Sequence, residues 1–383
     1  MYDDIDKLRD YASDPHFEQP LIECEYAHAE GNGVGDFEDY WQVIRAHKKL
    51  QGGFICNWVD QSVYAKDAKG RTYWATGLDI NPQRGDGGDH VAKGLIRADR
   101  TTYPKYYEVQ QVHSPFVFQG DPASGKLTLV NRYDFNDLSG FDFIWTLTDD
   151  GREVASGKLV RAKAQAGRSE EVAIDLPALK KRPDAERVLT IRGHAKAGAI
   201  PGVAAGQVLG FSQFVIAPAQ PAATPTGGKV DMAQDDASVR LASAAASLTV
   251  DKTTGLVAYS TRGRTLFTGG TPNFWRGLTD NDHGAGVQTS HAVWKRMTEN
   301  RRVAQVDVAA GTVTVHFVLG AGFVHFDTTY RLLGDGSLAV DSTFTPLKDD
   351  LPDPLRIGLR FDSAPQLNQI EWYGRGPQES YVD

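Results

Sequence analysis

The feature that most restricts the fold is a single strand–helix–strand passage within the first 112 residues. Pro20–Tyr26 is a short, mostly apolar run, and a turn carrying Gly31, Gly33 and Gly35 follows it. Phe37, Tyr40, Trp41 and Ile44 then recur at i, i+3, i+4 and i+7, which draws one apolar stripe along a helix expected from Asp36 to Leu50. Asp36 is the expected N-cap. Glu38 and Asp39 in the first turn, with His47, Lys48 and Lys49 in the last, complement the helix dipole at both ends. Gly52 and Gly53 are expected to stop the helix, and Phe54–Val59 to form a second buried strand. Such spacing is a βα repeat of a parallel sheet or barrel. About two repeats are present where a (β/α)8 barrel needs eight, so the passage is either a small open α/β unit or the last part of a barrel. Thr72–Arg100 reads as a long, glycine-rich loop.

From about His113 the texture changes. Lys126–Val130, Phe143–Leu147, Arg187–Ile191 and Val208–Phe211 are short β-type runs separated by Asn, Asp and Gly turns, which suits an immunoglobulin-like β-sandwich over 113–216. A Pro/Ala/Gly linker is expected over 217–228. Beyond it, over 229–383, Leu248–Val250, Val313–Val318 and Leu338–Phe344 begin a second all-β region. The expected class is therefore α/β plus all-β, and a length of 383 residues accommodates two or three such domains.

The net charge of −8 argues against nucleic acid or an anionic membrane as the main partner, because both need a basic face. It places no restriction on a neutral sugar. No apolar run approaches the roughly 20 residues that cross a bilayer, and no signal peptide is visible at the start. Cys24 and Cys56 are too few for a disulfide framework and read as two reduced, buried thiols.

Glu25 falls at the carboxyl end of the first strand, where parallel barrels build their active sites. Tyr26, His28 and Asn32 follow it and offer polar neighbours for substrate hydroxyls. On local pattern alone, a strand-end glutamate is equally an ion-pair partner or a solvated side chain. Five separated segments take the reading further. Leu21–Asn32 reads LIECEYAHAEGN, Gln51–Ser62 reads QGGFICNWVDQS, and Gly94–Arg100 reads GLIRADR. Trp275–Gly284 reads WRGLTDNDHG and Trp372–Tyr381 reads WYGRGPQESY. In this order they resemble glycoside hydrolase family 2, in particular its large bacterial β-galactosidases.

The resemblance implies the C-terminal part of a (β/α)8 TIM barrel over 1–112, then the β-sandwich, then an incomplete second β-sandwich domain. It implies a retaining β-galactosidase in which Glu25 is the nucleophile, Tyr2 hydrogen-bonds it, and His28 contacts galactosyl hydroxyls. Cys56 takes the place of the tryptophan that floors the family's sugar site, and Trp58 is expected as core packing. The family's acid/base glutamate follows an asparagine, and no Asn-Glu pair occurs in this sequence. Glu23 is expected on the same strand face as Glu25, one layer deeper, and Glu30 at the rim. Little or no turnover is expected from these residues alone.

For the full family enzyme the resemblance implies magnesium, with ligands upstream of Met1, and a homo-oligomer. Its sodium site maps to His90 and Lys93, where an ammonium opposes a cation, so no metal or other cofactor is expected here. Asp280, Asn281 and Asp282 are expected in a turn without the spacing of a calcium loop, and residues 284–290 in a glycine-flanked loop. A cytoplasmic location is the family's default and is left open for this chain. Competing readings are another family 2 activity, such as β-glucuronidase or β-mannosidase, and a non-catalytic β-sandwich module that binds sugar or another subunit.

Overall fold

A computed structural model describes residues 2–83, 92–160, 162–178, 182, 184–219, 228–309 and 311–378. The chain divides into two compact units, residues 1–222 with 373–383, and residues 223–372. Most of the expected linker, residues 220–227, lies outside the described residues.

The first unit opens with α1 (Ile5–Ser13), β1 (Leu21–Tyr26), α2 (Phe37–Ala46) and β2 (Leu50–Ile55). The strands pair in parallel, with Leu21 opposite Leu50, Glu23 opposite Gly53 and Tyr26 opposite Ile55. The apolar stripe holds: Phe37 and Ile44 are buried, and Tyr40 and Trp41 pack beside them. The helix is shorter than its periodicity predicts. Leu50 is taken into β2, and the Leu21 N–H reaches the Lys49 carbonyl at 2.7 Å, so strand pairing captures what helical propensity would extend. Asp36 occupies the N-cap in a left-handed conformation (φ 53°), and its side chain makes no capping bond.

Gly52 and Gly53 are part of β2 and do not stop the helix. A Cβ on Gly53 would fall 2.7 Å from the Glu23 Cβ and 2.8 Å from the Tyr26 ring, so the glycine is what lets the strands close. The segment expected as a long loop opens with regular structure: β4 (Thr72–Ala75) pairs with β3 (Val63–Lys66), and α3 (Gly77–Ile80) follows, before α4 (Pro104–Val112).

The same unit continues with β5 (Phe116–Gln119), β6 (Lys126–Asn131), β7 (Phe141–Asp149), β8 (Arg152–Lys158), β9 (Ser169–Ala173), β10 (Arg187–Ala195) and β11 (Val208–Ala217). They form a three-stranded sheet, β5-β6-β9, and a four-stranded sheet, β11-β10-β7-β8. Alternation along β7 (buried at Phe141, Phe143, Trp145 and Leu147) supplies one side of a core that Phe116, Leu129 and Ile191 share. Each such side chain contributes about 1.5–3 kcal/mol of burial. Gln111 of α4 ties the sandwich to the preceding segment, accepting from the Phe211 N–H at 3.2 Å and donating to its carbonyl at 2.7 Å.

The second unit has β12 (Asp231–Gln234), β13 (Ser238–Ala242), β14 (Ala246–Asp251), β15 (Val257–Thr261) and β16 (Arg264–Asn273). Next come α5 (Asp280–Gly284), α6 (Val287–Ser290) and α7 (Ala292–Glu299). The last strands are β17 (Arg302–Ala309), β18 (Thr312–Leu319), β19 (Val324–Leu332), β20 (Leu338–Pro346) and β21 (Gly358–Ser363). A six-stranded sheet, β12 to β16 then β21, and a four-stranded sheet, β17 to β20, enclose Phe274, Trp294, Phe317 and Tyr330. The segment expected as a turn and loop is helical, in α5 and α6. The Asp282 carboxylate accepts from Arg276 at 2.5 and 3.1 Å and from the Thr279 N–H at 2.8 Å, so it is committed to capping and pairing.

In the first sandwich, Asp149 is 4% exposed and receives two bonds from Arg187, at 2.6 and 2.8 Å. Those bonds outweigh burial and hold its carboxyl below the usual range. Asp149→Asn should cost about 3 kcal/mol at neutral pH, since it removes the charge from a buried, doubly hydrogen-bonded ion pair. A depressed folded pKa gives stability that is present above the unfolded value and lost as pH falls through the folded one. The gap between wild type and Asp149→Asn in urea unfolding should therefore narrow in acid.

Candidate active site

β1 and β2 end side by side, and the register shift between Glu23 and Tyr26 decides what faces the opening. Two residues, Cys24 and Glu25, lie on β1 where β2 has only Phe54. Glu23 and Tyr26 thus share the α2 side. Both crowd Gly53, and the Tyr26 hydroxyl accepts from the Trp41 indole at 3.0 Å. Glu25 is turned to the other side. This corrects the expectation that Glu23 lies beneath Glu25 on one face: strict alternation fails at the bulge, and Glu23 is 2% exposed under the helix. Cys24, expected buried, is exposed, because it alternates with Glu23 along β1 and lies on the face away from α2.

Tyr2 is fastened to the strand end. Its N–H donates to the Glu25 carbonyl at 2.8 Å, and Tyr40 of α2 donates to the Asp3 carbonyl at 2.9 Å. The Tyr2 hydroxyl lies beside both Cys56 and Glu25. Burial, then the neighbouring thiol and carboxyl, raise its pKa well above the tyrosine range. A phenol that keeps its proton next to a carboxylate is a hydrogen-bond donor to it.

His28 meets the Tyr2 ring edge-on at 6.1 Å between centroids, and its Nε2 is 3.6 Å from Glu30 Oε2. Glu30, expected at the rim, is 7% exposed, because the loop turns it inward. Gly33 makes that turn possible, since a Cβ there would lie 2.1 Å from the His28 carbonyl oxygen. Asn32 is on the same loop, and its Oδ1 is buried without a hydrogen-bond partner, as is Asn57 Nδ2 after β2. Trp58, expected in the core, is 60% exposed and meets Tyr106 edge-on at 6.4 Å.

The strand ends are held from behind by residues with no counterpart in the sequence expectations. Ala29 N–H donates to the Cys56 carbonyl at 3.1 Å, and Asn57 N–H to the Lys93 carbonyl at 2.6 Å. The Asp60 carboxylate, 9% exposed, accepts from the Gly94 N–H at 2.9 Å and the Tyr103 hydroxyl at 2.7 Å. Burial and then Asp60 push the Tyr103 hydroxyl up to about 12. Lys105 of α4 is 6% exposed and donates to the carbonyls of Ala29 and Gly31, the latter at 3.2 Å. A lysine in the first turn of a helix gave only a weak signal, and Asp60 and Tyr103 are 43 residues apart.

The tyrosine–glutamate–cysteine junction at paired parallel strand ends is a barrel-type site, and comparison with known proteins identifies its lineage. Three family models match successive stretches: the TIM barrel domain of glycosyl hydrolases family 2 over 1–118, beta-galactosidase domain 4 over 127–217, and beta galactosidase small chain over 242–383. The chain belongs to glycoside hydrolase family 2. Among its relatives, a beta-galactosidase of Priestia megaterium is 29% identical over 95% of this chain and 36% of its own length. Beta-galactosidase 2 of Enterobacter cloacae is 32% identical over 96% of this chain and 37% of its own length. The chain therefore spans little more than a third of these relatives. An exo-chitosanase structure from Amycolatopsis orientalis shows a marginal likeness (13% identity, 72% of this chain, 29% of that chain, TM-score 0.22).

Among the described residues no three His, Cys, Asp or Glu side chains are grouped to hold an ion. The Lys93 carbonyl is already engaged by Asn57, and His90 lies outside the described residues. No helix among the described residues is long and apolar enough to cross a membrane.

Lys105→Met should cost roughly 2–3 kcal/mol, since it removes charge-assisted bonds to two loop carbonyls. Amide exchange should accelerate at Ala27–Gly33 beyond the global change. Equal acceleration throughout the unit would show that Lys105 does not act on this loop.

Proposed function

We propose that this chain carries the nucleophile of a retaining β-galactosidase, with Glu25 attacking the anomeric carbon of a terminal β-galactosyl residue. The observation that supports it is the junction at Glu25, where a protonated phenol faces the carboxylate of a family 2 barrel strand. In the first step a Glu25 oxygen bonds to C1 as the glycosidic bond breaks, giving a galactosyl ester and an alkoxide that takes a proton from a general acid. Water, relieved of a proton by the same group acting as base, then opens the ester and restores the carboxylate. Tyr2 orients Glu25 through its hydroxyl, and His28, Asn32 and Cys56 border the sugar. The names of the relatives favour galactose over glucuronate or mannose.

The general acid is not assigned to a resident carboxylate. Glu23 faces α2 and Glu30 sits inward beside His28, and neither is placed across the sugar from Glu25. We therefore expect little or no turnover of lactose by these 383 residues. A 2-deoxy-2-fluoro-galactoside with a dinitrophenolate leaving group dispenses with acid assistance and arrests at the ester. Mass spectrometry of the digested chain should find the fluorogalactosyl group on the peptide containing Glu25, and none in Glu25→Gln. Labelling at another carboxylate would overturn the assignment. Preferential labelling by the glucurono or manno analogue would move the specificity to that sugar.

A further inference from the structure

The second unit contains an open cavity of about 1050 Å³ that no part of the proposed reaction uses. It is bounded by the strands β14, β15, β16 and β21, by α7, and by the Trp275–Gly277 segment. Its charge is unevenly compensated. Arg276 is matched by Asp282, and Arg360 by Asp362 at 3.3 Å. Lys295, Arg301 and Arg356 also line the cavity, and among the described residues none of the three has a recorded ion pair. On the acidic side, Asp251 and Glu299 remain, the Asp251 carboxylate accepting from the N–H groups of Thr253 and Thr254 and from the Thr254 hydroxyl, so two carboxylates face these three cations.

Arg301 is the decisive residue. Its Nη1 donates to the Thr298 carbonyl at 3.1 Å, while its Nε is buried with no hydrogen-bond partner among the described residues. A buried guanidinium donor left unmatched is costly and is normally satisfied by an acceptor. The planar N–H groups of arginine suit a carboxylate or sulfate, which can accept from them in parallel. The rest of the lining adds the hydroxyls of Thr249, Thr268 and Thr271 and the indole of Trp275, which suit sugar hydroxyls and a sugar face.

We propose that this cavity is a binding site for an anionic saccharide, with Arg301 receiving the carboxylate or sulfate and Lys295 and Arg356 adding charge at the mouth. It is separate from Glu25 in both residues and chemistry. Calorimetric titration of the whole chain should detect trigalacturonate, or a sulfated galactose oligosaccharide, with affinity that falls as salt is raised. Whichever of the two binds more tightly identifies the anion. Neutral galactobiose should not compete. Arg301→Gln should weaken binding by about tenfold, the effect of losing one charge-assisted pair. Lys295→Gln and Arg356→Gln, at exposed positions that folding tolerates, should each weaken it less and reduce the salt dependence. Glu25→Gln should leave it unchanged. Absence of binding by both anions, equal binding of galactobiose, or binding lost in Glu25→Gln and retained in all three basic-residue variants would each overturn the proposal.

Discussion

The architecture around Glu25 depends on the approach of two parallel strands across a position with no side chain. At Gly53 the space that a Cβ would fill is taken by the Glu23 Cβ and the Tyr26 ring. Any larger residue would have to push β1 from β2 or rotate Tyr26 away from its bond to Trp41. Either change would separate the strand ends that present Glu25 and Cys56 to the same tyrosine hydroxyl. Backbone pairing thus fixes the candidate site, and the side chains behind it hold the fixed position. Asp60 locks the Gly94 segment against β2's continuation, and Lys105 locks the loop after β1. Both use buried charges satisfied by hydrogen bonds, an arrangement that resists small displacements because each bond lost leaves a polar group uncompensated.

Several elements were legible in the sequence because their signals are local. The stripe of Phe37, Tyr40, Trp41 and Ile44 becomes the buried face of α2, and the alternation in Phe143–Leu147 becomes one wall of the first sandwich. Helix length and strand face were not legible. The end of α2 is set by the pairing of Leu50 with Leu21, a contact between residues 29 apart in sequence. The sides on which Glu25 and Tyr26 lie relative to Glu23 are set by one extra residue in the register. A period-two reading assigns every later residue of such a strand to the wrong face. Asp60 with Tyr103, and Lys105 with Ala29, are closed by tertiary folding and leave no spacing to find.

Family resemblance and geometry also supply different parts of the account of Glu25. Local pattern offers only a glutamate at a strand end, while the five motifs and the three matched domains connect it to family 2. The structure adds the fastening of Tyr2 to the end of β1. Its backbone bond to Glu25, with Tyr40 holding Asp3, binds the segment before α1 to the end of β1. The same fastening keeps the phenol near the carboxylate, so the stability of this segment and the placement of Glu25 are coupled.

The face to which Glu25 is turned is otherwise apolar. Ile22, Cys24 and Phe54 fall on the same side as Glu25, and Ile22 and Phe54 are 55% and 67% exposed. Parallel strands are ordinarily covered on both faces, and an apolar face of this kind is unfavourable in water. The strand sequence is therefore suited to an enclosed setting, with the carboxylate at the upper edge of an apolar wall. Enclosure would also suit the proposed chemistry, since excluding water strengthens the interaction of a carboxylate with the positive charge that develops at C1. The residues that make this face poorly adapted to solvent are the same ones that make it suited to line a glycosidase barrel.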